Sequence, residues 1–225
     1  MNQIEKNTVP SENQLKKDFR VSFENENGNG KRVLFVGNSI TRHAPSAEIG
    51  WHGDWGMAAS VREKDYVHII IKEVQKTDPD AAFCICQAAD WEREYNSGNA
   101  HLQFENARNF GADVIIMRII ENCPRNDFDN EDFYREYIRF IDYLNPKRTD
   151  NIILTTGFWH YEVRDAQVRK VARDKGYKLV ELGDLGELDE MKAIGLFEHE
   201  GVANHPGDKG METIAKRILK AASLG

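Results

Sequence analysis

Cysteine is scarce in this chain. Cys84, Cys86 and Cys123 are the only three, and an odd, small number builds no disulfide framework. Cys84 and Cys86 alternate within an apolar run, the pattern of a half-buried strand. No His or carboxylate stands near them at ligand spacing, so no metal site is expected. Long apolar runs are also missing. Val114–Met117 and His68-Ile69-Ile70-Ile71 are far too short to span a bilayer, so no membrane partner is expected. Positive charge is in deficit, with a formal net charge of −7. That argues against a nucleic-acid partner, because phosphate binding needs a basic surface. The opening Met1-Asn2-Gln3-Ile4-Glu5-Lys6 has no apolar leader, which points to a cytoplasmic protein. A Gly-rich phosphate loop ending in Lys-Ser/Thr is absent too, which disfavours a nucleotide binder.

What is present suits one α/β domain. The 225 residues are 40% hydrophobic, enough for a core. Residues 1–30 are polar, end in Glu26-Asn27-Gly28-Asn29-Gly30, and read as an arm, with room for a short edge strand at Arg20–Phe23. Residues 31–225 form the domain proper. Five short runs read as buried parallel strands: Arg32–Val36, Ala82–Cys86, Asp113–Arg118, Asn151–Thr155 and Lys178–Leu182. Helical patterns fill the gaps at Met57–Lys76, Asn99–Phe110, Glu131–Leu144, Tyr161–Lys175 and Asp208–Ala222. Gly176 is placed to cap the fourth of these, and Asp208 to N-cap the last. Strand alternating with helix predicts a three-layer α/β/α sandwich around a five-stranded parallel sheet. In such sheets the chemistry lies beyond the carboxyl ends of the strands.

Three strand ends or loops carry suggestive residues. The first strand runs into Gly37-Asn38-Ser39-Ile40-Thr41, where a glycine permits a sharp turn and Ser39 can face the crevice. A serine that merely caps a turn would look the same. The third strand ends in Arg118-Ile119-Ile120-Glu121-Asn122, and an Asn can donate to an oxyanion without carrying charge. It is equally a common turn former before Cys123-Pro124. His205 lies on a loop stiffened by Pro206, immediately before the last helix. Of the other histidines, His68 falls inside a helical pattern, and His43, His52, His101, His160 and His199 have no motif around them.

Taken together, this set resembles the SGNH (GDSL-like) hydrolase superfamily. Gly37-Asn38-Ser39 stands where that family has Gly-Asp-Ser, and Ile120-Glu121-Asn122 stands where it has Gly-x-Asn. His205-Pro206 precedes the final helix, as its Asp-x-x-His does. The resemblance implies a flavodoxin-like sandwich fold and a serine esterase with Ser39 as nucleophile, His205 as general base and Asn122 in the oxyanion hole. The backbone N–H groups of Ser39 and Ala89 would complete that hole. No metal or organic cofactor is implied. Two departures stand out. Val202 occupies the place of the acid, and Gln87-Ala88-Ala89-Asp90-Trp91 offers no glycine after the second strand. The first leaves three options: a Ser-His dyad oriented by a backbone carbonyl, a carboxylate from Glu198 or Glu200, or an inactive relative.

The substrate follows less directly. Gly50-Trp51-His52-Gly53-Asp54-Trp55-Gly56-Met57 and Gly157-Phe158-Trp159-His160 put tryptophans on loops at the catalytic edge. Trp55 and Trp159 suit stacking on sugar rings, or else they anchor their loops. No long apolar lid segment appears. The expectation is a short-chain, acetyl-type ester of a small molecule or oligosaccharide. The alternatives are a lysophospholipase or thioesterase on the same fold, and a non-catalytic carbohydrate-binding relative.

Overall fold

A computed structural model describes residues 19–125 and 128–223. Six strands form one sheet: β1 (Val21–Glu24), β2 (Arg32–Gly37), β3 (Ala82–Gln87), β4 (Val114–Arg118), β5 (Ile152–Thr155) and β6 (Lys178–Val180). Their order is β1-β3-β2-β4-β5-β6. The five expected strands are parallel, and β1 adds a sixth, antiparallel to β3, with Val21 opposite Cys86. The sheet is thus six-stranded and mixed rather than five-stranded and parallel. Of the arm expected over 1–30, residues 1–18 lie outside the described residues, and β1 belongs to the sheet of the main domain.

The helices are α1 (Tyr66–Thr77), α2 (Ala89–Glu94), α3 (Glu105–Asn109), α4 (Asn130–Leu144), α5 (Glu162–Lys175), α6 (Glu200–Ala203) and α7 (Asp208–Ala222). Helix α1 starts well after Met57. Ala58 sits at φ +74, which an α-helix cannot accommodate, and Asp65 caps the helix by accepting the His68 N–H at 2.7 Å. The run Asn99–Phe110 splits into a 3₁₀ turn at Ala100–Phe104 and the short α3. Gly176 ends α5 at φ +71, the left-handed cap that favours glycine. Asp208 is not the cap of α7. Gly207 holds that place, and the Asp208 carboxylate instead accepts the Ser60 N–H and the Lys64 ammonium, both at 2.8 Å.

Alternation along the strands builds two cores. Leu34, Val36, Cys84, Cys86, Ile115 and Met117 face α4 and α5, while Val33, Phe35, Phe83, Ile85, Val114 and Ile116 face α1 and α7. The Cys84/Cys86 strand is therefore buried on both faces, not one, which is the rule for the inner strands of a covered sheet. Each such side chain withdrawn from water contributes about 1.5–3 kcal/mol. Among the described residues, no helix is long and apolar enough to cross a membrane.

This topology positions the site. From β2 the chain crosses to β3 on one side, then returns past β2 to β4 on the other. The connections therefore part at the carboxyl end of β2, and a crevice opens there.

Candidate active site

The turn after β2 is built to expose one hydroxyl. A Cβ on Gly37 would overlap the Thr41 side chain, so only glycine lets the chain fold back this tightly. The Asn38 carbonyl accepts the N–H groups of Thr41 and Arg42 at 2.9 and 3.0 Å, which locks the turn. Ser39 sits at its apex. Its Oγ lies 2.8 Å from His205 Nε2, across 166 residues of sequence. Its N–H donates to no protein atom among the described residues.

His205 is held from behind by main chain. Its Nδ1 lies 2.6 Å from the Gly201 carbonyl oxygen. A carbonyl can only accept, so Nδ1 carries the proton and a neutral ring leaves Nε2 free to take one from Ser39. Val202 is buried, and Glu198 and Glu200 are exposed and make no hydrogen bond to the ring. Trp159 closes the other side, edge-on at 5.0 Å between ring centroids, its indole N–H donating to the Asn204 carbonyl at 3.2 Å. Withdrawal from water disfavours the imidazolium and, against the opposing pull of the Gly201 carbonyl, holds the His205 pKa down at about 4.

Beneath these residues lies a buried polar cluster that no sequence motif announces. Glu92, on α2, accepts from Asn38 Nδ2 at 3.0 Å, Ile120 N at 2.5 Å, Asn122 N at 3.3 Å and Asn122 Nδ2 at 2.6 Å. Glu121 accepts from Arg118 Nη1 and Asn38 Nδ2, both at 2.6 Å, and from Phe158 N at 3.0 Å. Arg118 also donates to Asn38 Oδ1. Burial, then repulsion from Glu121, pushes the Glu92 carboxyl up. Burial pushes on Glu121 as well, but Arg118 overrides it and holds that carboxyl down. Asn38 now has a physical reason. Its amide donates to two carboxylates, whereas an aspartate would place a third anion beside a single guanidinium.

The Ile120 departure is equally physical. Ile120 sits at φ +143, a region glycine enters freely and a β-branched residue almost never does. The strain is clamped from two sides. Glu92 takes its N–H, and the buried Arg164 donates to its carbonyl at 3.2 Å, to that of Glu121 at 2.9 Å and to that of Cys123. Such strain persists only where the surroundings over-determine it.

Ser39, Asn122, Ala89 and His205 line one crevice of about 230 Å³ with Gln87, His43, Arg93, His199 and Val202. The Asn122 amide spends one N–H on Glu92 and has a second. The Ala89 N–H is occupied, since it donates to the Gln87 side-chain oxygen at 3.0 Å, and the Ala88 N–H continues the sheet to the Gly37 carbonyl at 2.6 Å. Ala89 can serve an oxyanion only when Gln87 yields. Trp55 does not line this crevice. Its indole donates to the Ala59 carbonyl at 3.0 Å and packs edge-on against Trp51, and it borders a separate hollow with Arg42, Asp54 and His68. It anchors its loop. Residues His43, Gln87, Arg93 and His199 escaped sequence reading because each sits alone in its own segment and meets the others only through the fold.

The chain has an SGNH hydrolase-like fold. No protein-family model matches it. The chaperone protein ClpB of Rickettsia typhi is 27% identical over 202 residues, which is 81% of this chain but 21% of the chaperone. The two-domain esterase active on acetylated mannans superposes with a TM-score of 0.53 at 16% identity, over 88% of this chain and 51% of that one. A family two carbohydrate esterase from Cellvibrio japonicus gives 0.53 at 15% identity, over 86% and 62%. A salicylyl-acyltransferase from a tetracycline biosynthetic pathway gives 0.50 at 19%, over 87% and 55%. The chain thus spans between 51% and 62% of these three solved structures, and what it shares with them is the fold.

Proposed function

We propose that this protein hydrolyses short-chain acyl esters, acetyl esters above all, carried on carbohydrates, and that it does so with a Ser-His dyad. One observation carries the reading. Ser39 Oγ, His205 Nε2, His205 Nδ1 and the Gly201 carbonyl form a continuous relay, with separations of 2.8 and 2.6 Å at its two hydrogen bonds. Two of the three similar solved structures named above are esterases of carbohydrates, which supports the substrate class.

In this reading His205 Nε2 takes the Ser39 proton as Oγ attacks the ester carbonyl. The developing oxyanion is met by the Ser39 N–H and the second Asn122 N–H, with the Ala89 N–H joining once Gln87 releases it. The tetrahedral adduct collapses, the sugar oxygen leaves with the proton from Nε2, and an acyl-Ser39 remains. Water, deprotonated by the same nitrogen, releases the acid and restores the hydroxyl. The Gly201 carbonyl keeps the ring in one tautomer throughout. The crevice is small, which suits an acetyl rather than a long acyl group. Trp159 beside His205 offers a partly exposed face to a sugar ring.

The test pairs a fluorophosphonate probe with a panel of acetylated oligosaccharides and synthetic esters of rising chain length. Labelling at Ser39 and release of acetate from a sugar are expected, with turnover falling as the acyl chain lengthens. Preference for long chains would make it a lysophospholipase or thioesterase. Sugar binding without labelling would make it a non-catalytic relative.

A further inference from the structure

Glu92 is buried, lies on no motif, and no step above uses it. Yet its two oxygens gather four N–H groups from the two segments that make the site. One is the Asn38 amide, next to the nucleophile. The other three are the Ile120 N–H, the Asn122 N–H and the Asn122 side-chain amide. An asparagine amide can rotate by half a turn and present either nitrogen or oxygen to the crevice. The four N–H groups on the Glu92 oxygens favour the ionised form against the upward push of burial, and an acceptor-only partner at 2.6 Å removes that freedom, because a carboxylate takes N–H and repels carbonyl oxygen. The same carboxylate grips the Ile120 N–H, at the strained φ +143 that brings the chain round to Asn122. Structural packing alone would not require an anion here, since burying one is expensive.

We propose that Glu92 is a positioning residue of the esterase site: its carboxylate holds the Asn122 amide nitrogen-inward and clamps the strained Ile120 peptide, so that one Asn122 N–H stays aimed at the oxyanion. This rests on the ester-hydrolase reading above. It assigns Glu92 no contact with substrate, and its effect passes entirely through Asn122 and Ile120.

Glu92→Gln tests it with the volume preserved. The new amide presents a donor where the carboxylate presented only acceptors, and the Asn122 amide must turn over or lose its bond. With 4-nitrophenyl acetate, kcat should fall on the order of 10²-fold, the cost of losing one oxyanion donor, while KM changes little. In an Asn122→Ala background the same substitution should cost almost nothing further, because the group it acts through is gone. Ile120→Gly, which relieves the strained φ, should restore part of the lost kcat. Additive losses in the Glu92/Asn122 double variant, or an unchanged kcat in Glu92→Gln, would overturn the proposal. Should Glu92→Gln not fold, the wild-type protein still decides. The Asn122 side-chain amide, assigned by its disappearance in Asn122→Ala, should show one proton shifted downfield and protected from exchange. Two equivalent, solvent-like protons would sink the clamp. A wild-type protein that neither labels at Ser39 nor cleaves any ester would refute the functional reading, and the amide measurement would still report on Glu92 by itself.

Discussion

Two histidines in this fold are both largely sheltered from water and are driven in opposite directions. His205 hydrogen-bonds to a neutral carbonyl and a hydroxyl, with no carboxylate on either nitrogen, and burial presses its pKa down to about 4. His68, on α1, lies between Asp65 and Glu24 at 2.7 and 2.8 Å, with its side chain 9% exposed. Burial alone would lower it too, but the two carboxylates override burial and raise it to about 9. In the proposed mechanism the contrast separates a base from a brace. His205 is neutral, as the proposed proton acceptor must be. His68 is charged and ties β1, α1 and the loop before α1 together. The Asp-x-x-His spacing expected at the catalytic histidine does occur in this chain, as Asp65-Tyr66-Val67-His68, but on the wrong helix for chemistry.

The largest effect expected from breaking this contrast is at the dyad. His205→Ala or Ser39→Ala should lower kcat by about 10⁴-fold or more, with the fold intact by circular dichroism. Residual turnover above that level would place the base elsewhere.

The second effect is a shift in pH dependence. The wild-type acid limb should lie near pH 4, since the base stays neutral down to its own pKa. Val202→Asp supplies the missing anion three residues before the ring, so the limb should climb toward or beyond the ordinary histidine value. A pH–rate profile with the limb unmoved would show that a carboxylate at 202 does not reach Nδ1.

The third is thermodynamic, and its sign follows from the shifts. His68 binds its proton more tightly folded than unfolded, so its contribution is fully present below pH 6.5 and is lost as pH rises through about 9. His68→Gln should therefore destabilise the protein by no more than about 3 kcal/mol near pH 6. Urea melts at rising pH should show the variant and wild type converging. His205 acts in reverse. Its folded pKa is depressed, so stability falls as pH drops from 6.5 toward about 4. The smallest effect is at the exposed acids, where Glu198→Gln and Glu200→Gln should alter turnover by about twofold at most. A thousandfold loss in either would put a carboxylate back behind His205.

Much of the scaffold was legible because it is written in short-range pattern. The five parallel strands were visible as apolar runs, and α7 as a stripe of Met211, Ile214, Ala215 and Ile218. The start of α1 was not, because the loop Met57–Asp65 carries the same apolar spacing, and only the positive φ of Ala58 and the cap at Asp65 break it. Ser39, Asn122 and His205, which the fold brings to one crevice, could be singled out as candidates because each follows or precedes a regular element at a set place. Glu92, Arg118 and Glu121 were not, since a charged residue in sequence reads as surface until the fold buries it. Trp55 misled for a related reason: an aromatic on a crevice-side loop and one that anchors that loop share the same spelling.

One consequence lies in what orients His205. A side-chain acid can be erased by a single substitution, but the Gly201 carbonyl belongs to the backbone and survives any replacement of its own residue. A side chain added at 201 would meet the ring of His199 at 2.8 Å, and that ring caps the same turn by accepting the Val202 N–H at 3.3 Å, so bulk there would disturb the turn without removing the carbonyl. The weakness of such a site is therefore geometric rather than chemical. It is vulnerable to insertions, deletions or prolines that displace the short turn Glu200–Ala203, and it is indifferent to most of the point changes that would disarm a triad.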